Sequence, residues 1–105
     1  MSGDARAKPV RTTPDANLQL LEVELWWATN RDKAPDLFER ELERTFDLIG
    51  RYPAAGKPYP HPTEANVRRL LMVESEFFVF YREEEYEVVV LAVWSAVRGR
   101  GPDLG

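Results

Sequence analysis

A chain of 105 residues has the size of one ordinary domain and leaves no room for a second independent core. With 44% hydrophobic, 11% aromatic and 30% charged residues it is too apolar to be disordered and too charged to lie within a membrane; the lack of cysteine excludes a disulfide scaffold, a cysteine-ligated zinc or iron–sulfur site and a thiol nucleophile. Fourteen basic against 18 acidic residues give a net charge of −4, so nothing global draws the chain to phosphate backbones and any nucleic-acid contact must be local.

Residues 1–9 are small or charged and read as a flexible tail, with the single folded domain expected over 10–105. No apolar signal-peptide core lies in residues 1–17, and the longest apolar run, Val88 to Trp94, falls far short of the roughly 18 residues a membrane span needs; both predict a cytoplasmic protein. Val10 to Thr12 have strand character. Thr13, Pro14 and Asp15 then start a helix, with a hydroxyl to cap free amides, a proline suited to the first turn and an acid favoured by the dipole. This helix runs to about Asn30. Its apolar residues fall in two sets, Ala16, Leu20, Val23 and Trp27 on one side and Leu18, Leu21, Leu25 and Ala28 on another. The alternation of Leu21, Val23 and Leu25 with Glu22 and Glu24 also fits a strand, but Leu20 and the Trp26–Trp27 pair break the period of two.

After a polar break at Asn30 to Lys33, Pro35 and Asp36 open a second helix striped by Phe38, Leu42, Thr45 and Ile49, with Gly50 and Pro53 as its stop. Asp36 before Arg40 and Asp47 before Arg51 are spaced for surface ion pairs. Tyr52 to Asn66 is rich in proline and glycine and predicts a long loop without backbone ladders. Three strands follow, Val67 to Val73, Phe77 to Arg82 and Glu87 to Ser95, joined by short polar breaks as an antiparallel meander. The last is apolar on both faces, so it belongs inside the sheet with the early strand beside it. The expected class is α+β: a short amino-terminal strand, then an antiparallel helical hairpin packed on a mainly antiparallel sheet.

Several segments carry a family resemblance: TPDA at 13–16, WW at 26–27, APDLFEREL at 34–42, LIGRYPAAGKPY at 48–59, VRRLLM at 67–72, FFVFY at 77–81 and VLAVWSAVRGRGPDL at 90–104. In this order, with strand, two helices and three strands, the chain resembles the RelE/ParE family of bacterial toxins. The resemblance implies the toxic half of a type II toxin–antitoxin pair, neutralised by a cognate antitoxin and associated with growth arrest and plasmid stabilization. A helix with two apolar faces cannot bury both on one small sheet; the spare face, Leu18, Leu21, Leu25 and Trp26, is the expected antitoxin-binding surface. Coverage of that face by the amino-terminal tail or by a homodimer is the competing reading.

Two activities occur in the family. Ribosome-dependent mRNA cleavage by a RelE-like endonuclease needs a general base, a general acid and cations facing the developing phosphorane charge. ParE-like inhibition of DNA gyrase is a protein–protein task. For cleavage the parts are Arg68, Arg69, Tyr81 and Arg98, with Lys57 or His61 from the loop. Guanidinium is a poor base and the one histidine, His61, sits between prolines, so the acid–base set is incomplete and the acidic net charge leans the same way. Gyrase inhibition is therefore the expected activity, with Arg82, Trp94, Arg98 and Arg100 as target contacts. The RelE-like nuclease, or a decayed toxin acting only as a binding module, is the alternative. Arg68 and Arg69 are expected on opposite sheet faces, one of them paired with a helix carboxylate. Arg98 and Arg100 read equally as a solvated tail. The acids Glu83 to Glu85 and Glu87 lack the spacing of a calcium loop and read as a solvated turn, so no metal or cofactor is expected.

Overall fold

Thr13 ends a short strand and begins a helix. Its hydroxyl accepts the Ala16 amide at 3.1 Å and its carbonyl accepts the Asn17 amide at 2.9 Å, which puts Pro14 at the first helical position, where no N–H is needed. The structure, a computed structural model, describes residues 7–30 and 34–97. Strand β1 is Val10–Thr12, helix α1 Pro14–Asn30 and helix α2 Leu37–Arg51. Helix α1 buries Ala16, Leu20 and Trp27, and the Trp27 indole donates to the Ala34 carbonyl at 2.8 Å, tying the start of α2 to the end of α1. Helix α2 buries Phe38, Leu42, Thr45 and Ile49, the stripe expected from its period. Its surface pairs form as spaced, Asp36 with Arg40 at 3.7 Å and Asp47 with Arg51 at 3.1 Å. At such exposure each adds only a few tenths of a kcal/mol.

Gly50 does not stop this helix, contrary to the sequence expectation. The helix passes through it to Arg51, and Tyr52 closes the end by donating its amide to the Leu48 carbonyl at 2.8 Å. Gly50 is needed for close approach: a Cβ there would stand 2.8 Å from the Lys8 carbonyl oxygen and 3.2 Å from Val10 Cγ2, while Lys8 donates its amide to the Gly50 carbonyl at 2.9 Å.

The proline-rich loop also departs from expectation. It holds a short 3-10 turn, Pro53–Ala55, and a two-residue strand β2, Lys57–Pro58, antiparallel to β3 (Val67–Met72). Proline is tolerated because β2 is the last strand of the sheet and its outer side needs no donor. With β4 (Phe77–Glu83) and β5 (Val88–Ser95) the order is β1-β5-β4-β3-β2, parallel only between β1 and β5. The apolar β5 is interior, as its pattern required. A bulge interrupts its alternation: Tyr81 faces Val90 and Phe80 faces Ala92, so Leu91 is the extra residue and shares a face with Ala92.

The helices cover one sheet face. There Ala16, Leu20, Trp27, Phe38, Leu42 and Ile49 pack on Met72, Val79, Tyr81, Val88, Val90 and Val93; each large side chain so buried contributes roughly 1.5–3 kcal/mol of transfer free energy. The opposite face has its own smaller cluster, Val67, Phe80, Val89, Leu91 and Ala92, rimmed by Tyr59, Phe78 and Trp94. An acid also lies in the core. The Glu41 carboxylate accepts the amides of Glu74 and Ser75, each at 2.8 Å, and so holds the β3–β4 turn, in which Glu76 adopts a left-handed φ of 63°. Among the described residues no helix is long and apolar enough to cross a membrane.

Candidate functional site

Because side chains alternate across β3, Arg68 and Arg69 go to opposite faces, as expected. Arg68 lies on the helix side but meets no helix carboxylate, which corrects the expected pairing; it donates to the Gly56 carbonyl at 2.8 Å. Tyr81, also on that side, is fully buried. Its hydroxyl accepts the Gly56 amide at 2.7 Å and donates to the Pro53 carbonyl at 2.7 Å. Burial raises the phenol pKa above its ordinary value, outweighing the opposing Gly56 hydrogen bond and the Arg68 charge. A Cβ on Gly56 would stand 2.6 Å from that hydroxyl, so glycine here is set by close approach. Two residues named for phosphate and proton chemistry are thus engaged in clasping the Pro53–Gly56 turn. The sequence offered a hint, since PAAG places a carbonyl and an unobstructed amide three residues apart.

Arg69 occupies the open face. Its guanidinium lies 4.3 Å from the Phe78 ring centroid and 5.2 Å from that of Tyr59. Tyr59 in turn meets Phe80 edge-on at 4.8 Å, and Phe78 lies opposite Trp94 across the β4–β5 ladder. The exposed Lys57 stands opposite Arg69 across the β2–β3 ladder. Among the described cations, Lys8, Arg11, Arg40, Arg44, Arg51 and Arg82 have carboxylate partners. Lys57, Arg68 and Arg69 have none, and all three sit at the β2–β3 edge. Of these three described cations, Arg69 lies on the aromatic platform with Lys57 opposite it, while Arg68 is turned to the other face. Arg82, a predicted target contact, is doubly held by Glu64 and Glu84 at 2.6 Å each. His61 stays in the loop, where its Nδ1 accepts the Thr63 amide at 3.3 Å. Trp94 is half-buried at the platform's end; Arg98 and Arg100 lie outside the described residues.

The fold has known counterparts. The family profile described as the ParE toxin of the type II toxin–antitoxin system, parDE, matches residues 10–99. The chain belongs to the ParE toxin family. No curated protein sequence matches it. Among solved structures, the chromosomal ParDE toxin–antitoxin system from P. aeruginosa is similar with a TM-score of 0.67 at 13% identity, over 85% of this chain and 96% of that one. The RelBE2 toxin–antitoxin complex from Mycobacterium tuberculosis is similar with a TM-score of 0.62 at 22% identity, over 89% of this chain and 99% of that one. At these identities the likeness is one of fold.

A second surface lies on α1. Leu18, Leu21, Leu25 and Trp26 are 61%, 55%, 69% and 47% exposed, a contiguous apolar stripe on one helix. Monomeric proteins rarely leave such a stripe uncovered. Around the charged turn at 83–87, Lys8 pairs with Glu83 at 2.6 Å and Arg11 with Glu87 at 2.9 Å; the Arg11 hydrogen bond holds the Glu87 carboxyl below its ordinary pKa.

Proposed function

We propose that this member of the ParE toxin family is held inactive by a cognate antitoxin that covers α1, and that its target is DNA gyrase. The α1 stripe supports the antitoxin part: the exposed Leu18, Leu21 and Leu25, three and four residues apart, with Trp26 beside Leu25, suit a partner helix laid along them. The observation that carries the target is the placement of Tyr81. With its hydroxyl buried between Pro53 and Gly56, the phenol is withdrawn from acid–base work on the face that bears Arg69. A cation set on an aromatic platform suits recognition of an acidic protein surface, since Arg and aromatic residues are the usual anchors of such contacts. Arg69 and Lys57, with Trp94 and the carboxyl-terminal Arg98 and Arg100, form the proposed target contact.

The second reading is RelE-like cleavage of mRNA on the ribosome, favoured by Lys57 standing opposite Arg69, a base candidate beside a phosphate binder. One comparison decides between them. Purified protein is added to a gyrase supercoiling reaction and to a translating ribosome reaction primed with a defined mRNA. Loss of supercoiling with intact mRNA, reversed by Arg69→Ala, is expected; codon-positioned cuts with unaffected supercoiling would transfer the activity to the ribosome.

A further inference from the structure

The proline-rich loop does more than supply the short strand β2. Pro58, Pro60 and Pro62 alternate with Tyr59 and His61, and each proline ring fixes its own φ and restricts the residue before it. Tyr59 is also pinned through its backbone, its amide donating to the Val67 carbonyl at 2.8 Å. A side chain carried on such an arm is ordered before any partner arrives, so little freedom is left to lose on binding. The Tyr59 ring lies half-buried on the open sheet face, edge-on to Phe80 with centroids 4.8 Å apart, and its centroid is 5.2 Å from the Arg69 guanidinium.

Arg69 stands opposite Phe80 across the β3–β4 ladder, and the ring of the diagonal neighbour Phe78 lies 4.3 Å from its guanidinium. Three rings, those of Tyr59, Phe78 and Phe80, therefore border one cation. Arg69 is half-buried, yet no acceptor among the described residues meets its N–H groups. Arg82 on the same sheet face gives the contrast, because Glu64 and Glu84 fill its fork at 2.6 Å each. A partly desolvated guanidinium that the fold leaves without a counter-charge is poised for an anion from outside.

We propose that Tyr59 is a positioning residue of the target contact: it holds the Arg69 guanidinium against Phe78 so that the open N–H groups receive one carboxylate side chain of the target protein. This rests on the reading of the open face as the target contact and adds the chemistry that the face selects. A guanidinium confined by rings presents its donors in one plane, which the two oxygens of a carboxylate match as a bidentate pair. Lys57, exposed and opposite Arg69, offers a second charge to the same acidic segment. A phosphate backbone is gripped by many cations along its length, whereas this face of an acidic chain has Arg69 and Lys57 as its described cations without carboxylate partners.

The test reads the free chain and the gyrase reaction separately. In the free chain, sodium acetate at constant ionic strength should move the Arg69 Nε–H signal saturably in an NMR spectrum of the arginine side chains. Tyr59→Ala should weaken that titration about fivefold, and Tyr59→Phe, which keeps the ring, should restore it. In the supercoiling reaction Tyr59→Ala and Arg69→Lys should each raise the half-inhibiting concentration about tenfold, the lysine because it keeps the charge and loses the fork. Tyr59→Leu, which keeps an apolar contact on Phe80 without a ring face, carries the test if Tyr59→Ala melts below the wild type. Acetate binding as in the wild type by Tyr59→Ala or Tyr59→Leu, or inhibition as in the wild type by Arg69→Lys, overturns the proposal and leaves Arg69 a simple point charge. An Arg69 signal that moves with inorganic phosphate and not with acetate assigns the fork to a nucleic acid and also overturns it. A wild-type chain that leaves supercoiling unaffected removes gyrase as the target without altering the acetate result, so the two failures are told apart.

Discussion

Replacing Tyr81 by Phe separates a structural phenol from a chemical one. The hydroxyl makes two hydrogen bonds, accepting the Gly56 amide and donating to the Pro53 carbonyl, each at 2.7 Å. Phenylalanine keeps the ring packed and strands the Gly56 amide, a buried donor whose loss of a partner costs about 1–3 kcal/mol, with a smaller loss at the part-buried Pro53 carbonyl. We therefore expect Tyr81→Phe to destabilise by about 2–3 kcal/mol, a fall in Tm of roughly 8–24 °C for a domain of this size. Thermal unfolding followed by circular dichroism reads it directly. The alkaline limb gives a second check. Burial places the folded-state pKa of Tyr81 above its ordinary value, so the tyrosine's contribution is whole below about pH 10 and fades as pH rises from there through the folded value. The phenylalanine variant lacks that extra alkaline loss. A Tm within about 2 °C of the wild type, joined to abolished toxicity, would refute the reasoning and return Tyr81 to the chemistry.

Other outcomes follow from the same geometry. Gly56→Ala, whose Cβ would lie 2.6 Å from the Tyr81 hydroxyl, should destabilise less in a Tyr81→Phe background than alone, a coupling that a double-mutant cycle measures by urea unfolding. Glu41→Ala leaves the Glu74 and Ser75 amides without their acceptor and should cost about 2–4 kcal/mol in the same assay, with Glu41→Gln, which keeps one acceptor oxygen, costing less. Gly50→Ala forces the Lys8 carbonyl away and should destabilise by roughly 1–3 kcal/mol, with faster hydrogen exchange in β1 than in β4. Leu21→Ser with Leu25→Ser, on the exposed stripe, should leave stability within about 0.5 kcal/mol while weakening antitoxin binding; a large fall in Tm would show that the stripe is core.

Much of this molecule is written in local pattern. The Thr13–Pro14 start of α1, the Phe38–Ile49 stripe of α2 and the doubly apolar β5 each follow from short-range chemistry, since capping, period and alternation act within a few residues. The same logic found the spare face of α1, because two apolar sets on one helix exceed what one sheet face can cover. Local pattern failed where a residue's role is fixed by something distant in the chain. Gly50 looked like a helix stop and is instead the bed for Lys8 and Val10; the proline loop looked ladder-free and supplies an edge strand to β3. Arg68 and Tyr81 are of the types that phosphate and proton chemistry use, and the fold turns both toward the Pro53–Gly56 backbone. Nothing in the local pattern marks Glu41, because its partners lie 33 and 34 residues away. The bulge at Leu91 likewise depends on β4 and changes which side chains share the open face. The sequence by itself determined the two helices and the longer strands, their order and the faces that must be buried. Only the tertiary structure decided which polar side chains are consumed by buried backbone groups and which, like Arg69 and Lys57, have no carboxylate partner among the described residues, because that depends on which amides and carbonyls the packed elements cut off from water.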